Sequence, residues 1–183
     1  MNIQTLIPLT PTIEWIDNQV KIIDQTRLPL EEEYIETDEY KVVCDAIYRL
    51  AIRGAPAIGI AGAYACVLAA NRIETDDLDD FLKEFMVKAD EIGATRPTAV
   101  NLMWAVRQMK DRASSFSGSV NDLKLALLEL AHEIRTDDIN RCHNLGLHGA
   151  DLIPENANVM TICNTGGLAT SGIGTALGVI QYA

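Results

Sequence analysis

Three places in the chain carry side chains whose type and setting could do chemistry. The first is Cys163, which follows a short apolar, β-branched run at residues 158–162 and precedes Asn164-Thr-Gly-Gly167. A run of that kind reads as a buried strand. Beyond the glycines, Leu168, Ile173, Ala176, Leu177 and Ile180 recur at helical spacing. Strand, glycine turn and helix is the opening of a doubly wound α/β unit, where ligands gather outside the carboxyl ends of the strands. This places Cys163 at a strand end, close to a helix N-terminus at Gly166 and Gly167 whose N–H groups attract anions and favour a reactive thiol. A cysteine at a strand end also serves as a small buried hydrophobe, and no GxGxxG or P-loop spacing is present. The pattern alone leaves both readings open.

The other two places are arginines. Arg53 stands in Arg53-Gly54-Ala55-Pro56, where one helical pattern stops and proline favours the first turn of the next. Arg96 stands in the loop Gly93-Ala-Thr-Arg96-Pro97-Thr98, again just before a helix start. An arginine at a helix mouth suits an anion, and it equally suits the closing carbonyls of the preceding helix. The formal net charge is −11, which opposes nucleic acid or an anionic membrane surface as a partner, so an anionic substrate needs such a local cluster of arginines.

The elements that must position these residues follow from periodicity. Residues 13–23 read as two short strands about an Asp17-Asn18 turn, and Glu31-Glu-Glu33 as solvated surface. Val42, Val43, Ala46, Ile47 and Leu50 mark a helix, and residues 57–70 mark a second, apolar nearly all round and therefore buried. Leu78, Phe81, Phe85 and Ala89 mark a third, capped by Thr75; residues 99 to 113 form a fourth, capped by Thr98. Leu123, Leu127, Leu130 and Ile134 mark a fifth that runs on or breaks near Thr136, with residues 139–147 helical again.

The fold class expected is α/β. Residues 1–155 form a mainly helical domain with a small β hairpin, and residues 156–183 the first strand–helix unit of a Rossmann-like domain that is incomplete in this chain. One parallel strand with one helix cannot cover both faces of a sheet, so a further segment must complete it. Apolar residues make up 48% and charged residues 22% of the 183, a globular composition. The start, Met1-Asn-Ile-Gln-Thr, has neither a basic region nor a long apolar core. The four cysteines show no CxxC pair, and His143 and His148 lie five apart, the wrong offset for one helical face. No metal site is expected, Cys44, Cys66 and Cys142 read as core or near-core, and a cytoplasmic setting with reduced thiols suits the chain.

Ile52-Arg-Gly-Ala-Pro-Ala-Ile-Gly59, Thr95-Arg-Pro-Thr-Ala-Val-Asn-Leu-Met-Trp104, Cys163-Asn-Thr-Gly-Gly-Leu-Ala-Thr170 and Gly174-Thr-Ala-Leu-Gly178 resemble, in that order, the motifs of the methylthioribose-1-phosphate isomerase family. Ile13-Glu-Trp15 and Asp24-Gln-Thr26 before Leu28-Pro29 fit the same family. The resemblance covers the whole chain and about the first half of the family's usual length. It implies conversion of 5-methylthioribose 1-phosphate to 5-methylthioribulose 1-phosphate in methionine salvage, by a homodimer of a helical and a Rossmann-like domain, with no cofactor. Carried over by motif, it implies substrate binding by Arg53, Gly54, Ala55 and Arg96, and a catalytic Cys163. The family's catalytic aspartate lies beyond Ala183, so the C-terminal half of the protein is an expected partner. Ile162 and Ile173 depart from the family pattern without removing a functional group. Two other functions share the architecture: ribose-1,5-bisphosphate isomerase, and the non-catalytic regulatory subunits of translation initiation factor 2B.

Overall fold

The computed structural model describes residues 10–183; the start of the chain discussed above lies outside the described residues. Three strands, Ile13–Ile16 (β1), Gln19–Ile23 (β2) and Tyr34–Thr37 (β3), form an antiparallel sheet in the order β1-β2-β3. The expected hairpin is present. Asp17 (φ 50°) and Asn18 (φ 62°) both take left-handed backbone, the conformation a two-residue turn needs to match the strand twist. Ile13 pairs with Ile22 and Trp15 with Val20, which puts an apolar face of the sheet inward. The acidic run 31–33 is exposed as expected, but β3 directly follows it and was not anticipated.

Six helices follow: α1 Tyr40–Tyr48, α2 Ala55–Asn71, α3 Leu78–Ala94, α4 Val100–Ser114, α5 Val120–Ala150 and α6 Ala176–Tyr182. The axis of the fold is α2. Residues 57–70 are all buried, and the helix packs against α1, α3, α4, α5 and β1. Its small residues let neighbours come close: a Cβ at Gly59 would lie 3.0 Å from the Asn101 carbonyl, and one at Gly62 would overlap Leu102. That contact ties the start of α2 to the start of α4. Phe81, Phe85, Ala89 and Ile92 of α3 and Leu123, Leu127 and Ala131 of α5 close the same core.

Helix ends differ in detail from the expectation. Asp77, not Thr75, caps α3 by accepting from the Asp80 N–H; the Thr75 hydroxyl accepts from Asp77 instead. Thr98 does not cap α4, whose N-cap is Ala99, with the Ala99 N–H donating to the Arg96 carbonyl at 2.9 Å. No break occurs near Thr136. Residues 120–150 form one helix, capped by Ser119, because no proline or glycine interrupts them before Gly146 and Asp137 pairs with Arg141 one turn on at 2.6 Å. Its far half carries a second small core of Cys142, Ile173 and Tyr182. Among the described residues no helix is long and apolar enough to cross a membrane.

The largest departure is at residues 158–162. The strand expected there is absent, and Met160 and Ile162 are 95% and 88% exposed. A strand needs a neighbour for its N–H and C=O groups, and among the described residues the sheet β1-β2-β3 does not extend to residues 158–162. The helix expected from Leu168 is also displaced. Gly167–Ala169 form a single 3-10 turn, and α6 begins only at Ala176.

Candidate functional site

The Arg53 loop is built by backbone constraints. Leu50 (φ 65°) ends the approach to α2 and Gly54 (φ 97°) reverses the chain into it, with Pro56 in the first turn. A left-handed φ is strained for residues with a Cβ, and here space forbids one as well: a Cβ at Gly54 would overlap Ala169. Two segments more than a hundred residues apart in the chain therefore touch backbone to backbone. Arg53, Gly54 and Ala55 lie beside the glycine turn that holds Gly166 and Gly167.

Side chains hold that contact. The Thr12 hydroxyl donates to the Gly167 carbonyl at 2.8 Å, and Gln25 Nε2 donates to the Leu168 carbonyl at 2.7 Å. Gln25 Oε1 accepts from Arg53 Nε at 3.4 Å. From the other side, Asp138 of α5 accepts from the Ser171 N–H at 2.6 Å. Burial pushes the Asp138 carboxyl up, while donation by Ser171 pulls it down; burial wins. An antiparallel bridge between Gly166 and Gly174, and a bond from the Thr175 N–H to the Thr165 carbonyl at 2.8 Å, complete the loop.

The structure does not bring every expected residue to this point. Arg96 sits half-buried on the loop before α4, a helix that packs against α2. Cys163 is exposed, with φ 73°, and stands neither at a strand end nor at the start of a helix. The anion site pictured at a helix N-terminus by Gly166 and Gly167 is corrected accordingly, since those glycines lead into a 3-10 turn. Cys66 and Cys142 are buried and Cys44 is half-buried, and burial pushes all three thiols up, as befits packing residues. Among the described residues neither Arg53 nor Arg96 is held in an ion pair.

A cavity of about 450 Å³ opens where the first turns of α2 and α4 meet the middle of α5. Pro56, Val100, Trp104 and Leu145 give it apolar walls, with Asn101, Asp137, Asp138, Arg141 and Thr175 as polar groups. Arg53, Arg96 and Cys163 do not line it. The residues missed by the sequence reading are Thr12, Gln25 and Asp138. Asp24-Gln-Thr26 was visible as a motif, but the partners of its glutamine were not.

These features define a helical scaffold presenting a glycine loop. Residues 51–183 match the model of the initiation factor 2 subunit family, and the chain belongs to that family. It is 48% identical over 173 residues to a methylthioribose-1-phosphate isomerase of Trichlorobacter lovleyi, and 50% identical over 173 residues to one of Geobacter metallireducens. In both cases 94% of this chain and 50% of the relative are covered. The chain thus spans about half the length of the curated relatives it matches. A crystal structure of 5-methylthioribose 1-phosphate isomerase from Pyrococcus horikoshii superposes with a TM-score of 0.91 at 32% identity, over 97% of this chain and 50% of that one. The structure titled translation initiation factor eIF-2B, subunit delta, from A. fulgidus gives 0.86 at 40% identity, over 96% and 51%.

Proposed function

We propose that this chain forms part of an aldose–ketose isomerase that converts 5-methylthioribose 1-phosphate to 5-methylthioribulose 1-phosphate in methionine salvage. The observation that carries this is the identity of 48–50% along 94% of the chain to relatives named for that activity. The docking of the Arg53-Gly54-Ala55 loop on the glycine turn supports it. A phosphate on the anomeric carbon blocks free opening of the sugar, so the site must hold that phosphate, open the ring and then move hydrogen from C2 to C1. Arg53 and Arg96 supply guanidinium donors for the phosphate, with Gly54, Ala55, Gly166 and Gly167 forming the backbone around it. Cys163 is assigned to acid–base work, paired with an aspartate from outside these residues.

In this proposal residues 1–155 are one domain, and residues 156–183 open a second, Rossmann-like domain whose sheet forms only with a further segment equivalent to the relatives' other half. The exposed run at 158–162 and the half coverage support that division. The complete protein is proposed to act as a cytoplasmic homodimer. The test is turnover of 5-methylthioribose 1-phosphate and of ribose 1,5-bisphosphate by this chain together with that segment. Conversion of the first alone supports the assignment, and conversion of only the second moves it to the bisphosphate isomerase.

A non-catalytic role as a binding subunit is the second reading, favoured by the 40% identity to the structure titled as an initiation factor subunit. Absence of turnover of either sugar by the complete protein would establish that reading over the first.

A further inference from the structure

Gln25 is 1% exposed, and both ends of its amide are used. Nε2 donates to the Leu168 carbonyl at 2.7 Å, and Oε1 accepts from Arg53 Nε at 3.4 Å. A carbonyl can only accept and a guanidinium can only donate, so the partners fix which way the amide faces. The backbone around it is fixed too. The Gln25 N–H donates to the Ala51 carbonyl at 2.9 Å, and the neighbouring Asp24 carboxylate accepts from Thr26 and from Arg49. A buried amide without these partners would be costly, and this one spans two segments that the proposed site needs together.

We infer that Gln25 is a positioning residue of the site: it engages Nε of Arg53, leaves the two terminal nitrogens of that guanidinium for the substrate phosphate, and locks their distance to the Gly167–Ala169 turn. The inference rests on the proposed isomerase function. A neutral amide suits the task, because it aims the guanidinium without cancelling its charge. A carboxylate in its place would pair with Arg53, repel the phosphate and face the Leu168 carbonyl with no proton to donate.

The experiment compares steady-state kinetics of the complete protein on 5-methylthioribose 1-phosphate for wild type, Gln25→Met, Gln25→Glu, Arg53→Ala and the Gln25→Met/Arg53→Ala double variant, with thermal unfolding of each. Gln25→Met is expected to raise KM about tenfold with kcat little changed. Gln25→Glu should raise KM further despite its matching volume, and the double variant should be no worse than Arg53→Ala alone. A wild-type KM in Gln25→Met, or losses that add in the double variant, would overturn the inference while leaving the isomerase assignment standing. If Gln25→Met does not fold, Gln25→Glu carries the test, and an unchanged KM there overturns it equally. A wild-type protein without turnover removes the functional assignment and this inference together.

Discussion

Single residues here divide by how far away their partners are. Arg53-Gly54-Ala55-Pro56 was legible because its signals are local: a helix stop, a glycine and a proline in four consecutive residues. Gln25 was not, since its two partners lie 28 and 143 positions away. Cys163 was legible as a residue type but not in its placement, because the strand meant to carry it has no neighbour to pair with. Three expectations belong at this scale. Arg53→Ala and Arg96→Ala should each weaken binding of the sugar phosphate by about 1–3 kcal/mol, read as a rise in KM in the complete protein; unchanged KM in both would place the phosphate elsewhere. Cys163→Ser should lose most turnover with an unaltered melting curve, because the side chain is exposed and packs little; ordinary activity would end its assignment. Gly54→Ala should destabilise the protein by roughly 1–3 kcal/mol or more through its left-handed φ and the overlap with Ala169, measured by urea unfolding.

At the level of elements, the sequence pattern located α1, α3, α4 and α5, and the fully apolar segment became the buried α2. Periodicity could not see β3, a four-residue strand hidden behind an acidic run, nor could it tell one long helix from two. Caps shifted by a residue or two: the Asp77 carboxylate caps α3 in place of the Thr75 hydroxyl, and α4 starts after Ala99 with no side-chain cap. The turn after β2 offers a pH test. Burial alone would push the Asp24 carboxyl up, but donation from the Thr26 hydroxyl and N–H and from Arg49 holds it below the usual aspartate value. A depressed carboxyl contributes stability above its unfolded pKa and loses it as pH falls through the folded one. Asp24→Asn should therefore be less stable than wild type at pH 7, with the gap closing below about pH 4. Denaturant unfolding at both pH values checks this, and a gap independent of pH would assign Asp24 a packing role only.

For the whole molecule, the proposal of a helical body and a second unit completed by a further segment makes a prediction at Met160, Ile162 and Leu152, which are exposed. Produced alone, residues 1–183 should self-associate at rising concentration and show no isomerase turnover, and the segment equivalent to the relatives' other half should reverse both. Sedimentation velocity and a turnover assay with and without that segment test this; a monomeric and fully active short chain would refute it. The continuous α5 ties these parts together. It spans about 46 Å at 1.5 Å per residue. Along one helix, Arg135 donates to the Ile13 carbonyl, Asp138 holds Ser171 and His143 meets the Tyr182 hydroxyl. Those three attachments share a single phase. One residue inserted at position 136 would turn everything beyond it by about 100° and advance it by about 1.5 Å, carrying Asp138 away from Ser171 and His143 away from Tyr182 while Arg135 stayed on the sheet. The loop at 115–119 has no such phase to keep. Length variation across descendants of this fold is therefore expected to collect in the connections and to be purged from the middle of α5, and an insertion scan of the gene would show that contrast directly.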